Sequence, residues 1–545
     1  MFLAIRFAKN RYREIRERRV QEAYRVHQNM EMRSDDVQLQ DFSSEDRGAS
    51  IVELPVDRDV GATQKEPETP EEKAAKKRRR VYRTKIILAM FLPFTLQALD
   101  TTMIASALPL IAKEFDHPPL LTLLITASSL PSTSLPPLIA QLLPPTALSR
   151  HTTLQLSLAL LTLGSALSAL APPSSGAGIP LLLLGRALTG AGSAGVDLAV
   201  RVILSDRVSL AEYARTWTLF AMLNGVGWAV GPVLGGVLVD RGAWRWVFGV
   251  GGVVGVVAGA GVWVVRGELV PRRRDEDGGW WGRGVDWGGQ GLFLVGVGAL
   301  VLGLTRAGEY AWREARVWGM VLVGGVVTVG WGWYEWGMRP GRVVARWWPR
   351  QKAMVPWESV GGGRGREIGV LFLVNASMGV AMYAVLYFLG IYLVGVLEKG
   401  AGDAGKTLLY FLPGMGGGAY SAMFLTNVWP RQTLPPLLLS TVTAATGVTV
   451  LAWATYREAM PVVYGMMALT GYGIGMSFSP GTLHGLAYFP ELTETIQCIV
   501  TFAVPLGGTV GLTLMAIVFN AKGGLGGNEP KAGIMLAFLA VTPIL

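Results

Sequence analysis

The sequence predicts an all-α membrane protein built from about fourteen spanning helices. Of its 545 residues, 51% are hydrophobic and 16% are charged, whereas soluble domains carry about 25% charged residues. Glycine accounts for 70 residues, and glycine is more frequent in transmembrane helices than in soluble ones. Apolar stretches long enough to cross about 30 Å of hydrocarbon recur from residue 86 onward. A set of soluble domains is excluded, because too little polar surface is available to cover them.

Residues 1–85 form a polar segment that precedes the apolar stretches. It mixes acidic and basic residues and holds no apolar run longer than five residues, so we expect it to be a disordered cytosolic tail. The tail ends in a basic cluster of Lys73, Lys76, Lys77, Arg78, Arg79, Arg80, Arg83 and Lys85. This cluster predicts retention of the N-terminus in the cytosol and contact with anionic lipid. A nucleic-acid partner is disfavoured, because a hydrophobic span follows at once.

Fourteen spans are predicted, and the chain end cuts the last one short, which suggests a truncated or unusually ended sequence. Their approximate ranges are 86–112, 119–143, 152–171, 179–204, 216–239, 244–265, 286–305, 317–336, 368–396, 407–428, 434–454, 461–482, 496–520 and 532–545. The positive-inside rule assigns the two long basic loops to the cytosol. These loops divide the chain into a six-helix half at 86–265, a linker at 266–366 with two extra transmembrane helices, and a six-helix half at 367–545.

Two glycine-rich motifs match nucleotide-binding patterns and are rejected. Residues 400–407 fit the P-loop pattern but fall in a short outer loop between two spans, without the strand that a P-loop requires. Residues 190–195 fit G-x-G-x-x-G inside a span, where small residues indicate helix packing. The single cysteine and four dispersed histidines exclude a disulfide framework and argue against a metal cluster. We therefore expect no cofactor and no enzyme activity.

Charged residues inside the spans carry most of the functional information, because inserting a charged side chain at the bilayer centre costs about 2.5–3.5 kcal/mol of free energy. Asp100 in the first span and Arg186 in the fourth reach similar depths at about 1.5 Å per residue. We interpret Asp100 as a proton or cation site whose ionisation Arg186 controls by proximity. The alternative is a structural ion pair that joins two helices.

A second charged pair lies nearer the cytosolic end of the fourth span. Asp197 and Arg201 are four residues apart and share a helix face. We interpret them as a structural pair and group them with Gly190 and Asp206 as structural or gating residues.

The second half contrasts with the first, because four of its spans contain no Asp, Glu, Lys or Arg. Coupling by charge is therefore expected in the first half. The second half offers an aromatic and weakly polar wall that suits an amphipathic organic substrate. Its cavity candidates are Asn375, Tyr383, Tyr387 and Tyr410. For any one tyrosine the alternative is an interfacial anchor.

Three motifs in the first half support a family assignment. They are the stretch around Asp100 at 99–109, the R-x-x-x-G motif that begins at Arg186, and the sequence G-x-x-x-G-P-x-x-G-G at 227–236. Together they resemble the fourteen-helix drug:proton antiporters of the major facilitator superfamily, including fungal-type multidrug and toxin efflux transporters. The last motif corresponds to their antiporter motif, with Gly227, Gly231, Pro232, Gly235 and Gly236 at its fixed positions. A shorter Pro-Leu-Gly-Gly at 505–508 suggests an internal repeat.

The resemblance implies the major facilitator fold and proton-coupled export of small organic compounds by alternating access. It also implies a monomer in the plasma membrane, with the vacuolar membrane as the alternative. One departure is the loop between spans two and three, where residues 144–151 lack the family's acidic residue and glycine. The altered gating loop leaves a non-transporting membrane receptor or scaffold as one alternative. Within transport the alternative is uptake of a nutrient or iron-chelate, against which the antiporter motif argues.

Overall fold

A computed structural model describes most of the chain beyond residue 69. The described residues are 70–545 without 117–119, 144–148, 174–175, 206–209, 270–284, 310–313, 340–341, 348–350, 352, 355–363, 429–433, 490–491 and 525–528. Within them, eleven helices are long and apolar enough to cross a membrane. The prediction of an all-α membrane protein is confirmed.

We number the main helices of the described part α1 to α14, in the order of the predicted spans. They are α1 Pro70–Glu114, α2 Leu120–Ser134 with Pro136–Leu142, α3 Arg150–Ala169, α4 Gly178–Ser205, α5 Leu210–Asp240, α6 Arg245–Val264, α7 Trp287–Glu309, α8 Ala315–Gly337, α9 Arg364–Tyr383 with the turns Ala384–Phe388, Leu389–Ile391 and Tyr392–Val396, α10 Ala401–Leu408 with Phe411–Val428, α11 Leu434–Tyr456, α12 Met460–Tyr488, α13 Thr493–Ala521 and α14 Pro530–Val541. Helices α5 and α12 are not among these eleven, and α14 is shorter than the others.

Helix α1 begins at Pro70, so disorder is the wrong prediction for the last part of the tail. The stretch that follows Pro70 is rich in Glu, Ala, Lys and Arg, which are strong helix formers. Pro70 suits the first helical position. Because the membrane part of α1 is already helical, this extension needs no costly nucleation step. The basic cluster therefore continues into the first span as one helix.

The start of α10 also differs from the prediction. The P-loop look-alike is not a loop, because Ala401–Leu408 forms a helix that packs against α5. Asp403 lies in its first turn and Lys406 in its last turn, and the two side chains form an exposed ion pair of 2.9 Å. An acidic residue near a helix N-terminus and a basic one near the C-terminus favour a helix.

The packing of the first six helices recurs in the last six. Helix α1 packs on α5 and α3 on α4, while α9 packs on α13 and α11 on α12. Likewise α2 packs on α4 and α3 on α6, while α10 packs on α12 and α11 on α14. Each of these second-half helices therefore makes the same packing contacts as the first-half helix whose number is eight lower. The fold consists of two six-helix halves with α7 and α8 between them in the sequence.

The two halves touch through equivalent helices, since α5 packs on α10 and α2 packs on α13. The extra helix α7 lies against α2 and α13, one from each half, and α8 packs mainly on α7. We call the end of the bundle where α1 begins the basal end, and the opposite end the apical end. The described residues leave a cavity between the halves, partway along the bundle.

Candidate functional site

A cavity between the two halves brings together the charged residues that the sequence singled out. It encloses about 950 Å³ of empty space, including its solvent-filled opening. Its first-half wall carries the charged Arg186, Asp197 and Arg201 together with many hydroxyl and amide groups. The second-half wall consists of Met382, Tyr383, Tyr387, Phe478, Thr501, Val504 and Pro505. One wall is therefore polar and the other mainly aromatic and aliphatic.

Asp100 and Arg186 form a buried ion pair beside this cavity. Nη1 of Arg186 donates a hydrogen bond to Oδ2 of Asp100 at 2.9 Å, and the side chains are 4% and 5% exposed. The pair joins α1 to α4. Within the described part of the chain, Oδ1 of Asp100 and Nε of Arg186 have no hydrogen-bond partner. A single hydrogen bond therefore holds two charges that each keep a free polar atom.

Tyr387 links this pair to the second half. Its hydroxyl donates a 2.8 Å hydrogen bond to the backbone carbonyl of Thr101, the residue after Asp100. Tyr383 stacks on Tyr387 at a centroid distance of 5.2 Å. Both tyrosines lie at a π-helical turn of α9, and such turns are frequent at functional sites because they re-aim side chains.

The other two candidates in the second half lie away from the cavity. Asn375 is buried, and its Nδ2 donates to the carbonyl of Leu371 in its own helix. Tyr410 lies between the two segments of α10, is 49% exposed, and stacks on Tyr464 at 4.4 Å. Tyr410 therefore has the setting of a surface aromatic rather than a cavity residue.

Asp197 and Arg201 form the second ion pair on α4, with Nε of Arg201 2.9 Å from Oδ1 of Asp197. The guanidinium group of Arg201 also lies 4.4 Å from the ring centre of Trp217 on α5, within the range of a cation–π contact. The indole of Trp217 donates to the carbonyl of Phe478 on α12 at 3.2 Å. This network therefore connects the two halves toward the basal end.

Of the remaining structural candidates, Gly190 lies in a close contact between helices. A Cβ on Gly190 would overlap the backbone of Ser128, so this glycine lets α4 approach α2 closely. Asp206 and the first residues of the loop that departs from the family pattern lie outside the described residues. The described end of that loop is Ser149, whose hydroxyl caps α3 by accepting from the backbone N–H of Thr152.

The glycine motif of α5 forms a contact surface on two sides. Gly227, Gly231 and Gly235 lie against α1, and a Cβ on any of them would meet its atoms at close range. Gly236 lies against the backbone at the start of α10, and the carbonyl of Pro232 approaches a glycine of the same segment. The motif thus packs α5 within the first half and against the second half at the apical end.

Asn224 and Trp228 are cavity residues that the sequence analysis missed. Both lie on α5, line the cavity, and are buried. The sequence signal for them is an amide four residues before an indole on the helix that carries the glycine motif, and neither residue is charged. Among the described residues, no group of three or more His, Cys, Asp or Glu is placed to hold a metal ion.

Comparison with known families gives the identity that the fold suggests. The family model described as Major Facilitator Superfamily matches residues 90–512. The chain belongs to the major facilitator superfamily. This confirms the resemblance drawn from the first-half motifs, and the superfamily match makes the protein a transporter.

Named relatives of this major facilitator transporter include fungal and bacterial proteins. It is 25% identical to the MFS-type transporter ptmT of Penicillium ochrochloron over 77% of this chain and 70% of that one. It is 24% identical to the efflux pump aflT of Aspergillus parasiticus, covering 80% and 81% of the two chains. With the multidrug transporter protein MdtP of Bacillus subtilis it shares 23% identity over 83% and 78%.

The same fold is found in a solved structure of the proton:xylose symporter XylE. The TM-score is 0.55 at 12% sequence identity, and the match covers 85% of this chain and 95% of XylE. At that identity the likeness concerns the fold alone.

Proposed function

We propose that this major facilitator transporter exports small amphipathic organic compounds in exchange for protons, by alternating access around the central cavity. The observation that carries the proposal is the buried Asp100–Arg186 ion pair beside that cavity. Ionisable groups within a membrane are costly and mark ion or proton pathways in transporters. The proton gradient is the energy source, and no cofactor is required.

The geometry supports a simple coupling step. A proton that binds Asp100 neutralises its carboxylate and releases Nη1 of Arg186. The released guanidinium group then faces the cavity that it already lines. Because the hydroxyl of Tyr387 is hydrogen-bonded to the backbone next to Asp100, a movement of α1 is transmitted directly to the second half. Loss of the proton restores the ion pair and the starting arrangement.

Export rather than uptake is supported by two observations. The α5 motif resembles the antiporter motif of drug:proton exchangers, and one relative is named an efflux pump. The fold itself does not decide direction, because the structurally similar XylE is a symporter. We further propose that the basal end faces the cytosol, since the basic residues before the first span lie at that end.

The proposal is tested with Asp100→Asn in proteoliposomes that carry an imposed pH gradient and a panel of amphipathic fluorescent dyes. We expect gradient-driven dye movement to fall by about two orders of magnitude, because an amide does not exchange the proton. Dye exchange without a gradient should persist and show that the protein is folded. Asp403→Asn is the matched control, because its carboxylate is 70% exposed and pairs only at the surface.

Undiminished gradient-driven dye movement in Asp100→Asn would show that the Asp100 carboxylate is not required for coupling. If the wild-type protein accumulates dye in the direction of proton flow rather than in the opposite direction, the result would favour uptake. Absence of any dye movement in both directions would favour a receptor or scaffold.

A further inference from the structure

Helix α5 presents two buried polar atoms at the cavity that have no protein partner. Asn224 is 6% exposed and Trp228 is 8% exposed, and both line the cavity. They are four positions apart in the sequence, so they lie on the same face of the helix. Within the described residues, Oδ1 of Asn224 and Nε1 of Trp228 have no hydrogen-bond partner. One atom is an acceptor and the other is a donor.

Large polar side chains of α5 outside the cavity are satisfied instead. The indole of Trp217 donates to the carbonyl of Phe478, and the hydroxyl of Tyr213 accepts from Gln497 at 2.9 Å. Buried polar groups are hydrogen-bonded in the great majority of cases. The indoles of Trp244 and Trp331 also lack a partner among the described residues, but they do not line the cavity. The position of Asn224 and Trp228 at the cavity is what makes their free atoms available to a ligand.

We propose that Asn224 and Trp228 recognise a carbonyl and an adjacent N–H or O–H group of the transported compound. The indole of Trp228 donates to the carbonyl, and Oδ1 of Asn224 accepts from the neighbouring donor. The ligand is thus a neutral amphipathic molecule of the lactam or hydroxy-ketone type. This assignment rests on the proposed function, in which the cavity holds the exported compound.

The surroundings of the two residues agree with a neutral ligand. The cavity's Arg201 is paired with Asp197, and its Arg186 is paired with Asp100, so no unpaired formal charge among these residues calls for an ion. On the opposite wall, the stacked Tyr383 and Tyr387 offer a surface for an aromatic or aliphatic body. Thr501 on α13 adds a buried hydroxyl without a partner in the described structure. One polar edge and one apolar body therefore fit the two walls.

The test uses isothermal titration of the purified full chain with 2-quinolone and N-methyl-2-quinolone. The two probes share the carbonyl and differ in the lactam N–H. We expect the wild type to bind 2-quinolone about tenfold more tightly, the size of one buried hydrogen bond. Asn224→Leu should abolish this preference while the N-methyl probe binds as before. Trp228→Phe should weaken both probes by a similar factor, because both keep the carbonyl.

The matched control is Trp333→Phe, whose indole is 72% exposed on α8 and should leave both affinities unchanged. Unchanged binding of the N-methyl probe to Asn224→Leu shows that this variant is folded. Equal affinities for the two probes in the wild type, or a preference that survives Asn224→Leu, would overturn the assignment. If the wild type binds the probes as expected but shows no proton-driven transport, the proposed function is contradicted, whereas the assignment of Asn224 and Trp228 stands.

Discussion

At the scale of single residues, the Asp100–Arg186 pair is poised to separate. Only one hydrogen bond joins the two groups, although arginine and a carboxylate are able to form two in parallel. Each charge is nevertheless deeply buried, so each depends on the other for compensation. Such a pair is stable while both charges are present and is destabilised when one of them is neutralised.

This dependence predicts the stability of neutralised variants. Arg186→Gln leaves the Asp100 carboxylate buried without its partner and should lower the free energy of unfolding by about 3 kcal/mol. The double variant Asp100→Asn/Arg186→Gln buries no charge at this position and should recover most of that loss. Thermal unfolding of the purified proteins in detergent measures the ranking. Equal losses in the single and double variants would show that the two charges are not coupled.

At the scale of helices, glycine faces set how closely the main pairs approach. A Cβ on Gly231 would overlap the hydroxyl of Thr102 on α1, and a Cβ on Gly507 of α13 would overlap the carbonyl of Ala376 on α9. The two halves therefore use the same device in equivalent helix pairs. Close backbone approach of this kind is a main source of packing energy between membrane helices.

The glycine face of α5 leads to a paired prediction. Gly231→Ala should destabilise the protein by about 1–3 kcal/mol, because the added methyl group forces α5 away from α1. Gly261→Ala on α6 is the matched control, since nothing lies within 4 Å of its Cβ position. That change should be neutral or stabilise by up to about 1 kcal/mol through helix propensity. Thermal unfolding compares the two, and similar shifts would argue against close packing at Gly231.

At the scale of the whole molecule, a hydrophobic cluster joins the two halves toward the basal end. It includes Phe94 and Trp217 from the first half and Leu483 and Phe489 from the second. Phe94 meets Trp217 edge to face at 5.4 Å. Alternating access requires such a contact between halves to open, while the α5–α10 contact at the apical end, which is packed in this structure, stays closed.

The indole of Trp217 provides the prediction at this scale. Trp217→Phe keeps an aromatic ring in the cluster but removes the hydrogen bond to the carbonyl of Phe478. Hydrogen exchange should therefore become faster at the basal ends of α5, α12 and α13, because opening there costs less. Trp453→Phe on α11 is the control, since its indole is 51% exposed. Unaltered exchange in Trp217→Phe would show that this bond does not hold the halves together.

The sequence allowed the helices and the coupling pair to be predicted for different reasons. Apolar length defines a span almost by itself, because the bilayer thickness is fixed. The similar depths of Asp100 and Arg186 followed from helical rise alone, and their contact is now seen at 2.9 Å. Their role in proton coupling remains a prediction.

The facing of helices within the bundle was harder to predict. Helices surrounded by other helices are apolar on several sides, so periodicity does not show which side meets a cavity. Tyr383 and Tyr387 face the cavity, whereas Tyr410 of the same half does not. Asn224 and Trp228 were missed for the same reason. Composition likewise failed at Pro70–Lys85, where charge suggested disorder but continuity with α1 gives a helix.

Cys498 makes the opening of the basal contact between the halves measurable by thiol labelling. It is the only cysteine of the chain, and it lies buried on α13 against Leu143, which directly follows α2, and Leu198 and Val202 of α4. A maleimide reagent has therefore one cysteine to modify, and we expect it to reach the buried thiol when the halves part. The unmodified protein thus contains a natural single-site reporter. The labelling rate of its thiol follows the fraction of molecules open at that end, without any engineered cysteine.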